Sequence, residues 1–513
     1  MKGTRKSRGG CLVCKRRKKK CDELKPQCSN CSRLKLPCKY GLVINWDRVE
    51  LRTVSVVRSR RFPILEFVNY NPWQLEMAIS IQNGTKFRWI RDRSPILTPA
   101  SPAEFVECSK TSEKYIFNHY ISNISATLVF HGKHTSNEFY SIVVPQCERF
   151  AALFQIVLSY AAIDLAKMEL VKPNPDINLA KSFYKLYLSH KDQAYNELHL
   201  TLDTSDISEL ETIEELIITI MLLCSSEATN NTQKNWSSIL KEGCLVFSSL
   251  TFSQIINSDV LVFAYKQFSL RYILLVSTLK GNTLTRFLEE TQWPNIDAVY
   301  NSDNVDHLFG CSPRLLHTIY KLAMLNHLRD SDSIDESLLM ARYLEIWKAL
   351  LETVQVSTAD NPHLGLCAEI YLVSAKLYLC MLLSLGDLPL TREFNQHIPD
   401  LMHDLIDKLE DLSKIHLKMF HPMWGILILA ACQTGGPESD EFRFRILSLI
   451  SVNESRWPLS NYIQLRDIIM ALWATYDFCV EDPEHSRGVI ISGPRSTDWR
   501  DVVCNSDFWL LLV

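Results

Sequence analysis

At 513 residues with 47% hydrophobic content, the chain has length for two to four domains and is too apolar for wholesale disorder. Its net charge of −3 conceals a division. Residues 1–40 hold 14 Lys and Arg against Asp22 and Glu23, a surplus of +12, which leaves −15 on residues 41–513. A small cationic head on an acidic body predicts a polyanion-binding module joined to something else.

The N-terminus is basic but has no apolar segment behind it, so no secretory signal is expected. Apolar runs such as Met423–Cys432 fall short of the roughly 20 residues that span a bilayer, and no membrane partner is expected. In a soluble, intracellular and reducing setting, clustered cysteines bind metal more often than they pair as disulfides.

Residues 1–10 read as a basic arm. Cys11, Cys14, Cys21, Cys28, Cys31 and Cys38 follow as C-x2-C-x6-C, six residues, and C-x2-C-x6-C again. A shift of 17 positions lays the first three on the second three, an internal duplication. One tetrahedral zinc uses four thiolates and two separate zincs use eight, so six fit two zincs that share two sulfurs. The duplication suggests Cys11 and Cys28, the first members of each half, as the bridges. Three disulfides are the competing reading. Leu12, Val13, Leu24, Leu34 and Leu36 are too few to order thirty residues by burial alone, so metal binding is expected to make this fold.

Six consecutive cations, Lys15, Arg16, Arg17, Lys18, Lys19 and Lys20, lie between Cys14 and Cys21. On a short helix opened by C-x2-C and ending near the third cysteine, like charges four apart repel. Phosphates of a nucleic acid relieve that repulsion and release counterions. Lys and Arg also donate to guanine O6 and N7 in the major groove. A nuclear-import signal or non-specific tail is the blander reading of such a run, and the two roles can coexist.

The stretch "CLVCKRRKKKCDELKPQCSNCSRLKLPCKY" resembles the Zn(II)2Cys6 binuclear cluster of fungal transcription factors in every cysteine spacing, in the basic run, in "CDE" at Cys21–Glu23 and in Lys25-Pro26. The resemblance implies two Zn²⁺ per chain with Cys11 and Cys28 bridging, and CGG-type triplets read through the end of the first helix. It places Arg17 and Lys18 at base edges and Lys15 and Lys20 at phosphates. Arg16 and Lys19 occupy positions that are often apolar in relatives, with Arg16 kept among the DNA-binding candidates. Pro26 is expected to set the turn between the halves.

Residues 41–109 read as a linker. Leu42, Trp46, Val49 and Val56 suit a heptad that Thr53 and Arg60 interrupt, and Val49–Arg58 suits an extended segment equally well. Dimerisation through it stays open. Pro95, Pro99 and Pro102 mark a boundary.

From residue 110 apolar residues recur at helical spacing, and 110–497 is expected to be a large all-α domain. Leu366, Ile370, Val373, Leu377 and Ser384 fall along one helix face. Thr212 and Glu215 have the spacing of a capping box. Tyr115–Phe130, Ala152–Ala166 and Glu215–Trp236 resemble the second type of fungal-specific transcription factor domain, which implies a regulatory domain that senses a metabolite or binds partners. Ten further cysteines read as buried small apolar residues. No P-loop, H-E-x-x-H, G-x-S-x-G or G-x-G-x-x-G motif occurs, so no catalytic residue and no organic cofactor site is assigned. His131 and His134 read as a loop pair. Acidic stretches at 203–215 and 330–336 read as helix caps and solvated loops.

Residues 498–513 mix Asp498, Asp501 and Asp507 with Trp499, Phe508 and Trp509. They suit either an activation tail or a docked last helix or strand. The expected architecture is a small Zn2Cys6 module of two short helices and loops plus a large all-α domain. The expected function is a nuclear, sequence-specific transcription factor for RNA polymerase II, regulating metabolic genes. Its partners would be double-stranded DNA at GC-rich promoter elements and transcription machinery or coregulators. The alternative is a zinc-tethered metabolite-binding or cofactor-recruiting protein without sequence choice.

Overall fold

Helices account for every named regular element among the described residues; the only β pairing there is two isolated bridges, Asn304 with Val356 and Asp306 with Cys311. The computed structural model describes residues 13, 14, 17, 19, 21, 22, 24, 27–36 and 38 near the N-terminus. It further describes 112–129, 137–204, 209–229, 235–294, 297–331, 333–357, 361–384, 391–415, 422–433, 437–456, 461–480 and 498–505. The linker heptad and the His131/His134 pair lie outside the described residues.

The chain divides into two units, Met1–Val68 and Asn69–Val513. Among its described residues the first holds a short helix, α1 (Ser29–Arg33). The second holds, in order, α2 (Glu113–His119), α3 (Ala151–Leu170), α4 (Ile177–Thr204), α5 (Leu210–Thr229), α6 (Asn235–Ser248), α7 (Asp259–Val276) and α8 (Gly281–Thr291). There follow α9 (Pro313–Asp330), α10 (Glu336–Glu352), α11 (Pro362–Ser384), α12 (Ile398–Lys414), α13 (Met423–Ala431), α14 (Pro437–Arg456), α15 (Tyr462–Val480) and α16 (Trp499–Asn505). Shorter turns connect them.

Local chemistry sets several starts. Ser258, Ser312 and Asp335 sit in extended backbone, and each side chain accepts a hydrogen bond from the first turn of α7, α9 or α10. Pro313 begins α9, where a missing N–H costs nothing. The expected capping box does not form at Thr212, because α5 starts two residues earlier, at Leu210. Glu215 is instead buried, with its carboxyl under the influence of the Ala152 backbone in the first turn of α3. Phe150, the residue before α3, has no side chain able to cap. Burial pushes the Glu215 carboxyl above its ordinary value.

α3, α7 and α11 run through the interior with apolar residues buried all round rather than along one face. α3 and α11 are long and apolar enough to cross a bilayer, yet most of each is buried inside the body, as in core helices. The end of α7 anchors the C-terminal half. Tyr378 Oη donates to the Ser277 carbonyl at 2.7 Å, and Trp424 Nε1 donates to Ser277 Oγ at 2.9 Å. α13 crosses α11 closely at Gly425, where a Cβ would lie 2.7 Å from Ser374 Oγ and 3.3 Å from Ile370. Cys147, Cys224, Cys244, Cys311, Cys367 and Cys380 are buried, as expected of small apolar side chains.

The last helix is built into this body. Trp499 is buried edge-on to Tyr378, with ring centroids 6.4 Å apart. Arg500, 0% exposed, donates to Asp498 through Nε and Nη2 (3.0 and 2.6 Å) and to Asp330 through Nη1 (2.9 Å). Lys280 reaches Asp498 and Asp501 at 3.2 and 2.7 Å. Asp330, read from the sequence as part of a solvated stretch, is thus a partner of a buried cation. Residues 506–513 lie outside the described residues.

Candidate metal centre and nucleic-acid interface

Among its described residues the N-terminal unit has almost no apolar core: Leu24 and Leu34 are exposed, and of the described apolar side chains only Val13 and Leu36 pack on the cysteines. What is buried is sulfur: Cys14, Cys21, Cys28 and Cys31, with Cys38 beside them. Cys11 lies outside the described residues.

The sulfurs are spaced as metal ligands. Cys14 Sγ and Cys28 Sγ lie 3.7 Å apart. That is close to the ~3.8 Å edge of a zinc tetrahedron with Zn–S bonds of about 2.3 Å, and far from the ~2.05 Å of a disulfide. No disulfide joins the described cysteines. Cys28 belongs to two groups of donor atoms, each within 4.8 Å of one another: Cys14–Cys28–Cys31, and Cys21–Asp22–Cys28. A thiolate common to both is what a bridging ligand requires. Cys38 Sγ accepts from the Cys28 backbone N–H at 3.3 Å, and Cys28 Sγ accepts from that of Cys31 at 3.4 Å. These bonds orient the two sulfurs.

Each half turns back on itself in the same way. In the second half, Cys28 is the N-cap of α1, and α1 ends when Lys35 takes φ 49°. Leu36 N–H then reaches the Cys31 carbonyl and Lys35 N–H the Ser32 carbonyl, at 3.0 and 3.1 Å. This is a Schellman turn, with Lys where glycine is common, and Leu36 folds onto the sulfurs. It stops the helix five residues short of Cys38, earlier than the expected end near the third cysteine. Seventeen residues upstream, Lys19 N–H bonds the Cys14 carbonyl at the same spacing, 3.0 Å. The duplication read in the cysteines therefore extends to the backbone.

The two halves differ in what they present. Leu36 covers sulfur, whereas its counterpart Lys19 is exposed, as is Arg17, whose counterpart is Leu34. Arg17 and Lys19 extend from the carbonyl end of the first turn, where a cation suits the helix dipole. Lys15, Arg16, Lys18 and Lys20 lie outside the described residues. One contributor escaped the sequence reading. Asp22 accepts from the Ser29 backbone N–H at 3.1 Å and so ties the first half to the start of α1. Hydrogen bonding from Ser29 holds its carboxyl below the usual range. Its place directly after Cys21 was the available signal.

The model of the fungal-specific transcription factor domain matches residues 115–512, and that of the fungal Zn(2)-Cys(6) binuclear cluster domain matches residues 9–45. The chain belongs to the fungal Zn(2)-Cys(6) transcription factor family.

The cluster domain of this family binds two zinc ions through six cysteines and is a DNA-binding domain. The family's members include the transcriptional activator protein UGA3 of Saccharomyces cerevisiae, to which this chain is 25% identical over 242 residues, 46% of this chain and 44% of that protein. The sterol uptake control protein 2 of Candida albicans is 60% identical over 35 residues, 7% of this chain and 5% of its own length. The lysine biosynthesis regulatory protein LYS14 of Saccharomyces cerevisiae is 46% identical over 56 residues, 11% and 7% of the two chains. The matches thus span less than half the length of these relatives. No solved structure matches the chain.

Proposed function

We propose that this zinc-cluster protein is a sequence-specific regulator of RNA polymerase II transcription that acts in the nucleus on metabolic genes and reads CGG-type triplets in the major groove. Cys11, Cys14, Cys21, Cys28, Cys31 and Cys38 would hold two zinc ions, with Cys11 and Cys28 shared. Bound zinc supplies the crosslink that a module with two packed apolar side chains among its described residues cannot supply for itself. Arg17 and Lys18 donate to guanine edges, Lys15 and Lys20 hold phosphates, and Arg16 adds to the basic face. Residues 11–40 form the DNA-binding domain, 41–109 the linker and 110–497 the regulatory domain. Coregulators or a second copy of the chain complete the assembly on the promoter.

The observation that carries this reading is the shared Cys28. A cluster closed around one sulfur fixes the first turn, and with it Arg17, at a set place and angle. A tail serving only as a charge reservoir has no use for that rigidity.

Lys18→Ala provides the test, with affinity measured on duplexes that differ only in the triplet. The expected loss is about 1–3 kcal/mol on a GC-rich triplet, with preference relaxed. Equal loss on every sequence would move Lys18 to the phosphates and favour a module that tethers without sequence choice.

A further inference from the structure

The helical body buries a cation to which no described residue gives a counter-charge. Arg271, on α7, is 4% exposed. Its Nη2 donates to Ser225 Oγ on α5 at 2.7 Å, while Nε and Nη1 have no hydrogen-bond partner. No carboxylate lies within ion-pair distance of it among the described residues. Arg500, equally enclosed, has Asp330 and Asp498. Among the described residues, one buried guanidinium thus has carboxylate partners and the other has none.

The groups around Arg271 cannot neutralise it. Cys224 and Tyr160 are its electrostatic neighbours. Burial pushes the Cys224 thiol up to about 11, so it stays neutral, and it donates to the Trp236 carbonyl. Glu227, two residues beyond Ser225, already accepts from Lys191 at 2.7 Å and from Tyr187 at 2.6 Å. Ser226 is fully buried with its Oγ also unpartnered. Burial pushes the Arg271 pKa down, but a guanidinium stays protonated at any physiological pH.

The unused hydrogens have a definite geometry. A guanidinium carries five N–H groups and two parallel pairs, Nε with Nη2 and Nη1 with Nη2. Ser225 takes one of the two hydrogens on Nη2. Whichever it takes, the other pair remains whole, and such a pair matches the two oxygens of a carboxylate. One buried positive charge with no second cation beside it is balanced by a monoanion, whereas a phosphate dianion would leave excess negative charge.

We propose that Arg271 is the receptor for a small organic monocarboxylate bound among α3, α5 and α7, which makes the body an effector-binding domain. Ser225 holds the guanidinium in place. The inference is independent of DNA reading, which triplet selectivity measured on the same preparation follows separately.

The test uses the full-length, zinc-loaded protein. Its thermal unfolding is followed with acetate, propionate, butyrate and hexanoate, each against its neutral amide at matched ionic strength, with inorganic phosphate as a further arm. At a hundredfold excess over Kd, at least one carboxylate should raise the melting temperature of the body by about 3 °C, while amides and phosphate leave it unchanged. Arg271→Leu should abolish the response and melt no lower than the ligand-free protein, because it removes an uncompensated charge. Arg271→Lys, which keeps the charge without the paired donors, should weaken the response at least tenfold in carboxylate concentration. The proposal is overturned if no carboxylate stabilises the wild-type protein or if phosphate alone does. It is also overturned if Arg271→Leu fails to fold, since a side chain without an internal counter-charge should be dispensable.

Discussion

Arg500→Met tests whether the C-terminal segment is a structural part of the body. The substitution keeps much of the aliphatic volume and removes a guanidinium that is 0% exposed and makes three hydrogen bonds to two aspartates. Removing one partner of a buried ion pair costs about 3–5 kcal/mol. The lower end applies here, because Arg329 still reaches Asp330 at 3.0 Å and Lys280 still reaches Asp498 at 3.2 Å. A loss of about 3 kcal/mol in a body of this size lowers the melting temperature by about 4 °C. Tryptophan fluorescence during thermal unfolding of the full chain reads it. Adding Asp330→Asn and Asp498→Asn to the Arg500→Met background should recover part of the loss, because the stranded carboxylates are then neutral. Burial alone would raise the Asp498 pKa, but the hydrogen bond and charge of Arg500 outweigh it and hold the carboxyl below its ordinary value of 3.8. A depressed carboxylate contributes stability above its unfolded pKa and loses it as pH falls through the folded one. The gap between wild type and Arg500→Met should therefore narrow at pH 3 relative to pH 7. A melting temperature within 1 °C of wild type at pH 7, or a gap that widens in acid, would refute the reasoning and free residues 498–513 for an activating role.

Two further outcomes follow from the packing and the sulfur geometry. Native mass spectrometry of the full chain should count two zinc ions, and Cys28→Ala should lose both, since both donor groups include that sulfur; one zinc in the wild-type protein would contradict the shared-ligand geometry. Glu215→Gln keeps the shape of a buried side chain and drops a charge that burial disfavours, so urea unfolding at pH 7 should show no loss of stability, and a loss above about 1 kcal/mol would contradict this.

What the sequence disclosed depended on how local the signal was. The cysteine spacings place ligands a few residues apart, and their 17-residue repeat is readable because both halves bury sulfur in the same turn. Helical content was legible from apolar spacing, but the single face expected on α11 was not, because a helix enclosed by neighbours buries its whole circumference. Thr212 and Glu215 had capping spacing, but α5 already begins at Leu210 and Glu215 is buried inside the body instead. Asp330 pairs with Arg500 across 170 positions, a distance at which no sequence pattern joins two charges. Arg271 sits in a run that reads as plain core, and its missing counter-charge appears only once its surroundings are known. Asp22 lay beside a ligand, yet its bond to Ser29 depends on how the two halves close.

Whether a metal-held turn reads base sequence is decided by selecting bound duplexes from a random pool with the full-length protein, zinc-loaded and after chelation. CGG-type triplets should be enriched with zinc and not without it. Enrichment that survives chelation, or zinc-loaded protein that binds all sequences alike, would contradict this.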